Sequence, residues 1–215
     1  MLKMGIAERR SKHKENLRQA ILDAAKKLFL RDGYHATSIR KIAQEIEFSP
    51  TTIYLYYKDK AEIAHALHIE GFKMLGQQLS VVQHIDDPFE RLKVMGRIYI
   101  QFSLENTDFY ELMFVLKEPM DHIREEGADI CWEEGQQAFE ILWANIAACQ
   151  RVGYFNGLDA ANVAMITWCT MHGLCTLNIH GHLDFVQTHK KEMSHITDLL
   201  DSAYATFIKI LQRLK

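Results

Sequence analysis

Proline occurs only three times in 215 residues, at Pro50, Pro88 and Pro119. Proline removes a backbone donor and clashes with the preceding turn, so a chain this poor in it can be helical over nearly its whole length. Extended β-branched runs of the kind that mark strands are missing. The predicted fold class is therefore all-α.

Apolar spacing and capping residues divide the chain. Leu17, Ile21, Ala24 and Leu28 form one face of a first helix ending near Asp32-Gly33. A second opens at Thr37-Ser38, whose hydroxyls can cap it, and carries Ile39, Ile42, Ala43 and Ile46. Ser49 caps a third, with Pro50 at its first position. Further helices are predicted over 60–82 and from the capping box Asp87-Pro88-Phe89-Glu90 to Asn106. "TDFYELMFVL" then leads through Pro119 to a long helix ending around Arg151-Val152. After a turn at Gly153 and Asn156-Gly157 come helices at about 159–180 and 188–214.

The second and third helices with their short connection make a helix-turn-helix. Ile39, Ile42, Ile46, Phe48, Ile53 and Tyr57 can meet in one small core against Leu28 and Phe29. That leaves Thr51, Thr52, Tyr54, Leu55 and Tyr56 on or near a free face. Hydroxyls and phenols suit phosphate oxygens, and methyls suit thymine. Charge agrees: residues 1–60 hold 13 Lys and Arg against 7 Asp and Glu, whereas 61–215 hold 12 against 21. A basic block on an acidic protein points to a polyanionic partner for that block.

Residues 17–65, through "AILDAAKKLFLRDGYHATSIRKIAQEIEFSPTTIYLYYKDKAEI", resemble the DNA-binding domain of the TetR family of bacterial transcriptional regulators. The resemblance implies that Arg40 reaches a base edge or phosphate and that Thr37 or Ser38 reaches a phosphate. It sets Pro50, Thr51, Thr52, Tyr54 and Tyr56 at the DNA, and Lys60 on the backbone. One position departs: where the family usually has Gly in the turn, this chain has Glu47. Either the turn avoids a positive φ there or Glu47 is strained into it. The implied organisation is a helix-turn-helix domain over 1–60, with a basic arm at 1–15, followed by a helical ligand-binding and dimerisation domain over 61–215. "TMHGL" at 170–174 is similar to the corresponding half of some TetR-family members.

The residues of the larger part support the same reading independently. "AANVAMITWCTMHGLCTL" is apolar nearly all round, which a helix can be only when buried on two sides. The last helix repeats Ile196, Leu200, Ala203, Phe207, Ile210 and Leu214 on one stripe, with Tyr204, Ile208 and Leu211 beside it. Together they suit a four-helix bundle across a two-fold axis, hence a homodimer with a near-palindromic operator. Aromatics and methionines that suit an adaptable apolar cavity are Phe102, Phe109, Tyr110, Met113, Phe114, Trp132, Phe139, Trp143, Met165, Trp168, Met171 and His172. The expected effector is a small apolar or amphipathic molecule, and the expected action is repression relieved by it.

Other classes find less support. No Gly-rich phosphate loop, nucleophile elbow or H-E-x-x-H occurs, so an enzyme is not expected. A non-specific architectural binder fits poorly with the acidic remainder. His180, His182, His189 and His195 invite a metal, but His near a helix C-terminus is explained by the helix dipole, and no metal or other cofactor is predicted. Cys131, Cys149, Cys169 and Cys175 lack the C-x-x-C spacing of a zinc site and are expected as buried free thiols; Cys169 and Cys175, six residues apart on one helix, point to different sides, which disfavours redox sensing. With neither an apolar run of about 18 residues nor an export signal at the start, a cytoplasmic location and no membrane partner are expected.

Overall fold

A computed structural model describes residues 6–126, 133–190 and 195–215. Among them there are eleven α-helices and no strand: α1 Ile6–Asp32, α2 Ile39–Glu45, α3 Pro50–Tyr54, α4 Lys60–Leu79, α5 Pro88–Glu105, α6 Thr107–Phe114, α7 Glu118–Glu126, α8 Glu133–Arg151, α9 Ala160–Ile179, α10 His182–His189 and α11 Leu199–Gln212. The chain forms two compact units, one of Met1–Gly71 with Asp108–Cys131, the other of Phe72–Thr107 with Trp132–Lys215. The boundary falls inside α4.

The caps follow from side-chain chemistry. Ser38 accepts from Lys41 N at α2, and Ser49 accepts from Thr52 N at α3, where Pro50 occupies the first turn. Asp87 accepts from both Phe89 N and Glu90 N, satisfying two orphan donors of α5. Glu90 turns away from the expected reciprocal bond and takes the Lys93 ammonium at 2.6 Å. The last predicted helix is subdivided. The described parts of the segment around Pro119 are α7 and α8, with residues 127–132 outside the described residues, and the segment at 188–214 is replaced by α10, which begins after Gly181 at φ 73, and α11, capped by Asp198. The helix expected to reach residue 82 ends as α-helix at Leu79 and continues as a 3-10 turn, Ser80–His84.

In the first unit α1, α2 and α3 pack together around Ile42, Ile53, Tyr57, Leu28 and Phe29, all buried. Phe48, expected in this core, is 44% exposed instead. The second unit is held by α5, α8, α9 and α11. Phe89, Leu92, Ile146, Cys149, Phe155, Val163, Ala164 and Leu211 form its centre, with Phe207 and Ile208 packed against it. Phe89 stacks on Tyr154 at 4.4 Å. Burial pushes the Cys149 and Cys175 thiols up to about 11, as expected of inert core cysteines. Cys169 corrects that expectation by being exposed, and Cys131 lies outside the described residues.

Candidate nucleic-acid interface

The turn between α2 and α3 settles the open alternative at Glu47, which takes φ 59. Glu47 N–H donates to Gln44 O and Phe48 N–H donates to Ala43 O at 2.9 Å, closing α2 in a Schellman motif. An L-residue therefore occupies the left-handed position that glycine fills at no steric cost. The same geometry turns Phe48 outward.

From α3 the side chains divide cleanly. Ile53 and Tyr57 point inward, and the Tyr57 hydroxyl accepts from Arg18 Nε at 3.2 Å, beneath a guanidinium 5.2 Å from the ring. Burial raises the Tyr57 hydroxyl above the usual phenol range, so it stays a neutral partner for Arg18. Tyr54 is 57% and Leu55 75% exposed. Thr51, Ser38 and Arg40 are exposed as well, while Pro50, Thr52 and Tyr56 are half-buried. Thr52 Oγ1 lies 2.9 Å from Ser49 Oγ, which orients its hydroxyl along the helix start.

Two of the expected contacts are used inside the protein. Thr37 is buried, with its hydroxyl 2.9 Å from Gly33 O and 3.2 Å from Leu28 O, so the side chain closes the α1–α2 connection rather than facing a phosphate. Lys60 Nζ donates to Tyr34 O at 2.6 Å and Thr37 O at 2.8 Å and sits 4.0 Å from the centre of the Tyr34 ring. Burial lowers its pKa from the ordinary lysine value. Two of its three donors are spent on carbonyls, so Lys60 fastens the start of α4 to the α1–α2 connection instead of reaching outward. This contact joins residues far apart in the chain, and no local pattern signals it. Leu55, by contrast, was legible on the free face from its spacing.

The expected ligand-lining residues divide between the units. In the first, Phe109, Tyr110 and Met113 are buried and Phe114 half-buried; Phe109 lies beneath the Lys26 ammonium at 4.3 Å. An added Cβ at Gly71 would stand 2.5 Å from Met113 Sδ, so glycine is what lets α6 close on α4. In the second, Phe102 and Met171 are buried, and the Phe139 and Trp168 rings meet at 6.1 Å. His172 Nδ1 is 3.4 Å from Tyr99 Oη, and burial lowers the imidazole pKa. Trp143 and Met165 are 47% and 43% exposed, so they line no interior of their unit, and Trp132 lies outside the described residues. The hydroxyl of Thr167, on the buried face of α9, has no hydrogen-bond partner among the described residues. Among those residues, too, no group of three or more His, Cys, Asp or Glu is placed to hold a metal, and no helix is long and apolar enough to cross a membrane.

The apolar stripe of the last helix is rotated from the expected one. Leu200, Tyr204 and Leu211 are buried; the Tyr204 hydroxyl, pushed up to about 12 by burial, donates to Lys93 O, and Phe207 packs on the core. Leu200 and Phe207 are thereby turned toward their own unit. Ile196 and Ala203 are half-buried. Facing out are Ile210 and Leu214 at 53% and 42%, along with Met165, Ile166 and Leu177 of α9.

Comparison with known proteins matches these parts in turn. The sequence profile "Bacterial regulatory proteins, tetR family" matches residues 21–67, and "Tetracyclin repressor-like, C-terminal domain" matches residues 92–200. The uncharacterized HTH-type transcriptional regulator YuxN of Bacillus subtilis is 31% identical over 102 residues, 47% of this chain and 34% of that protein. The fatty acid metabolism regulator protein of the same organism is 40% identical over 50 residues, 23% of this chain. The chain thus aligns with only about a third or less of these relatives' length, 34% and 26%. Among solved structures, the fatty acid degradation regulator FadR from Bacillus halodurans superposes with a TM-score of 0.68 at 19% identity, covering 98% of this chain and 96% of the other. The TetR family transcriptional regulator PfmR from Thermus thermophilus gives 0.63 at 21% identity, covering 89% and 97%. Both share the fold. With a helix-turn-helix head matched by one profile and half the chain matched by the other, this protein belongs to the TetR family of DNA-binding transcriptional regulators and is not an enzyme.

Proposed function

We propose that the chain is a homodimeric, cytoplasmic repressor whose two heads hold a near-palindromic operator and release it when a small apolar or amphipathic molecule occupies the larger domain. In this reading residues 1–60, with the basic arm 1–15, are the head and 61–215 the ligand-binding and dimerisation domain. The observation that carries it is the division of α3 and the residues that follow it: Ile53 and Tyr57 are buried while Tyr54 is 57% exposed, in a block of 60 residues that carries 13 Lys and Arg against 7 Asp and Glu. Ser38, Arg40, Pro50, Thr51, Thr52, Tyr54 and Tyr56 are the proposed DNA contacts. Outward apolar residues on both α9 and α11 support a two-fold seam, since apolar surface gathered on neighbouring helices marks an interaction site.

A ligand lowers operator affinity only by as much as it prefers a dimer whose heads miss the operator spacing, about 1–3 kcal/mol for ordinary coupling. α4, which starts at Lys60 beside the head, is the proposed lever. The fatty acid metabolism regulator among the relatives makes fatty acids the first ligands to screen. The test is calorimetric titration of a screened ligand with and without an operator selected from a random duplex pool. Operator should weaken the ligand by the same factor by which ligand weakens operator. Equal ligand affinities in the two titrations would rule out the switch.

A further inference from the structure

Leu55 is the most exposed of the large apolar residues described, at 75%. It is not a scattered surface leucine. In the first 71 residues the large exposed apolar side chains described are Leu30, Phe48, Tyr54 and Leu55, and three of these four lie on α3 or directly beside it. Leu55 keeps helical dihedrals, φ −75 and ψ −13, so it falls one turn after the exposed Thr51, on the same stripe. Arg40, in the same helix-turn-helix, is exposed too, and residues 1–60 as a whole carry 13 Lys and Arg against 7 Asp and Glu. An apolar tip beside exposed hydroxyls, on a net basic block of 60 residues, fits a partner that is anionic overall but presents a methyl group at its edge. In the major groove that group is the thymine C5-methyl.

We propose that Leu55 reads a thymine methyl in each operator half-site, so that this chain's sequence preference includes an A·T pair recognised by apolar contact rather than hydrogen bonding. The proposal rests on the operator-binding reading above. Thr51, about 5–6 Å away along the stripe, meets a neighbouring base pair, since bases of one strand rise about 3.4 Å apart.

The experiment replaces thymine by deoxyuridine, which deletes only the methyl. A duplex is first enriched from a random pool with the full-length protein, then each thymine is exchanged in turn, and affinities are measured for the wild type and Leu55→Ala. One position per half-site should weaken wild-type binding about fourfold, the worth of one buried methyl. Leu55→Ala should lose that sensitivity alone while unfolding at the wild-type temperature. A deoxyuridine scan that is flat in the wild type overturns the proposal, as does a sensitivity that survives in Leu55→Ala. Unchanged duplex affinity in Leu55→Ala also overturns it and leaves the patch to a protein partner. If no duplex is enriched over random, the operator reading fails, and the proposal with it, in a way distinct from a flat scan.

Discussion

Glu47 shows how one residue can depart from a pattern without displacing it. The two hydrogen bonds that close α2 are formed with φ at 59, so the turn keeps its geometry and the residue bears the strain. A left-handed L-residue costs about 1–2 kcal/mol, and a glycine returns about 0.4–1 kcal/mol of that as unfolded-state entropy. Glu47→Gly should therefore stabilise the protein by about 0.5–1 kcal/mol, seen as a higher urea midpoint with unchanged slope. A lower midpoint would mean that the carboxylate has a stabilising role of its own. Lys60 makes the opposite case, a residue that fits the family pattern while its amine is held indoors. Removing it takes the charged donor from Thr37 O and from Tyr34 O, which keeps only its bond from Thr37 N–H, and Lys60→Ala should cost about 1–3 kcal/mol of stability. The salt dependence of DNA binding separates the roles: a lost phosphate contact lowers the slope by about 1, whereas a lost internal fastening leaves it unchanged, the outcome expected here.

At the scale of elements, recognition depends on a helix of five residues, Pro50–Tyr54, too short to stand alone. Its orientation comes from Ile53 and Tyr57 in the core and from the Ser49 cap, which leaves Tyr54 free to be varied. Tyr54→Ala should weaken specific binding by about 1–3 kcal/mol with no change in thermal unfolding; a large drop in unfolding temperature would reverse the inward and outward assignment. Caps and the inner face of this motif were legible in the sequence because both depend on neighbours within four residues. The rotation of α11 was not. Its stripe is apolar over more than half its circumference, so periodicity alone cannot choose which side meets the core. Packing chooses it: Tyr204 lies against Gly96, where an added Cβ would be 2.7 Å from the ring, and that contact turns Leu200 and Leu211 inward. Trp143 and Met165 went the same way, apolar by composition but outward by placement.

The whole molecule inherits that rotation. A charge at Phe207 would strike the core of its own unit, so the seam is better probed at Ile166, 63% exposed on α9. Ile166→Glu should yield folded monomers in sedimentation, because a lone charge in an apolar seam costs several kcal/mol, and operator affinity should fall with the loss of bivalency. A variant still dimeric at micromolar concentration would remove α9 from the seam. The first unit has a further property: it is assembled from two separate lengths of chain, Met1–Gly71 and Asp108–Cys131. Lys26 sits over the Phe109 ring, Met113 fills the space left by Gly71, and His35 pairs with Glu118 at 3.1 Å, all across that gap. Translation delivers the two lengths in order, at about 5–20 residues per second, with Phe72–Thr107 emerging in between. The unit that carries the recognition helix therefore cannot finish packing until α6 has left the ribosome, and a nascent chain stalled before residue 108 holds a helix-turn-helix with Gly71 still uncovered.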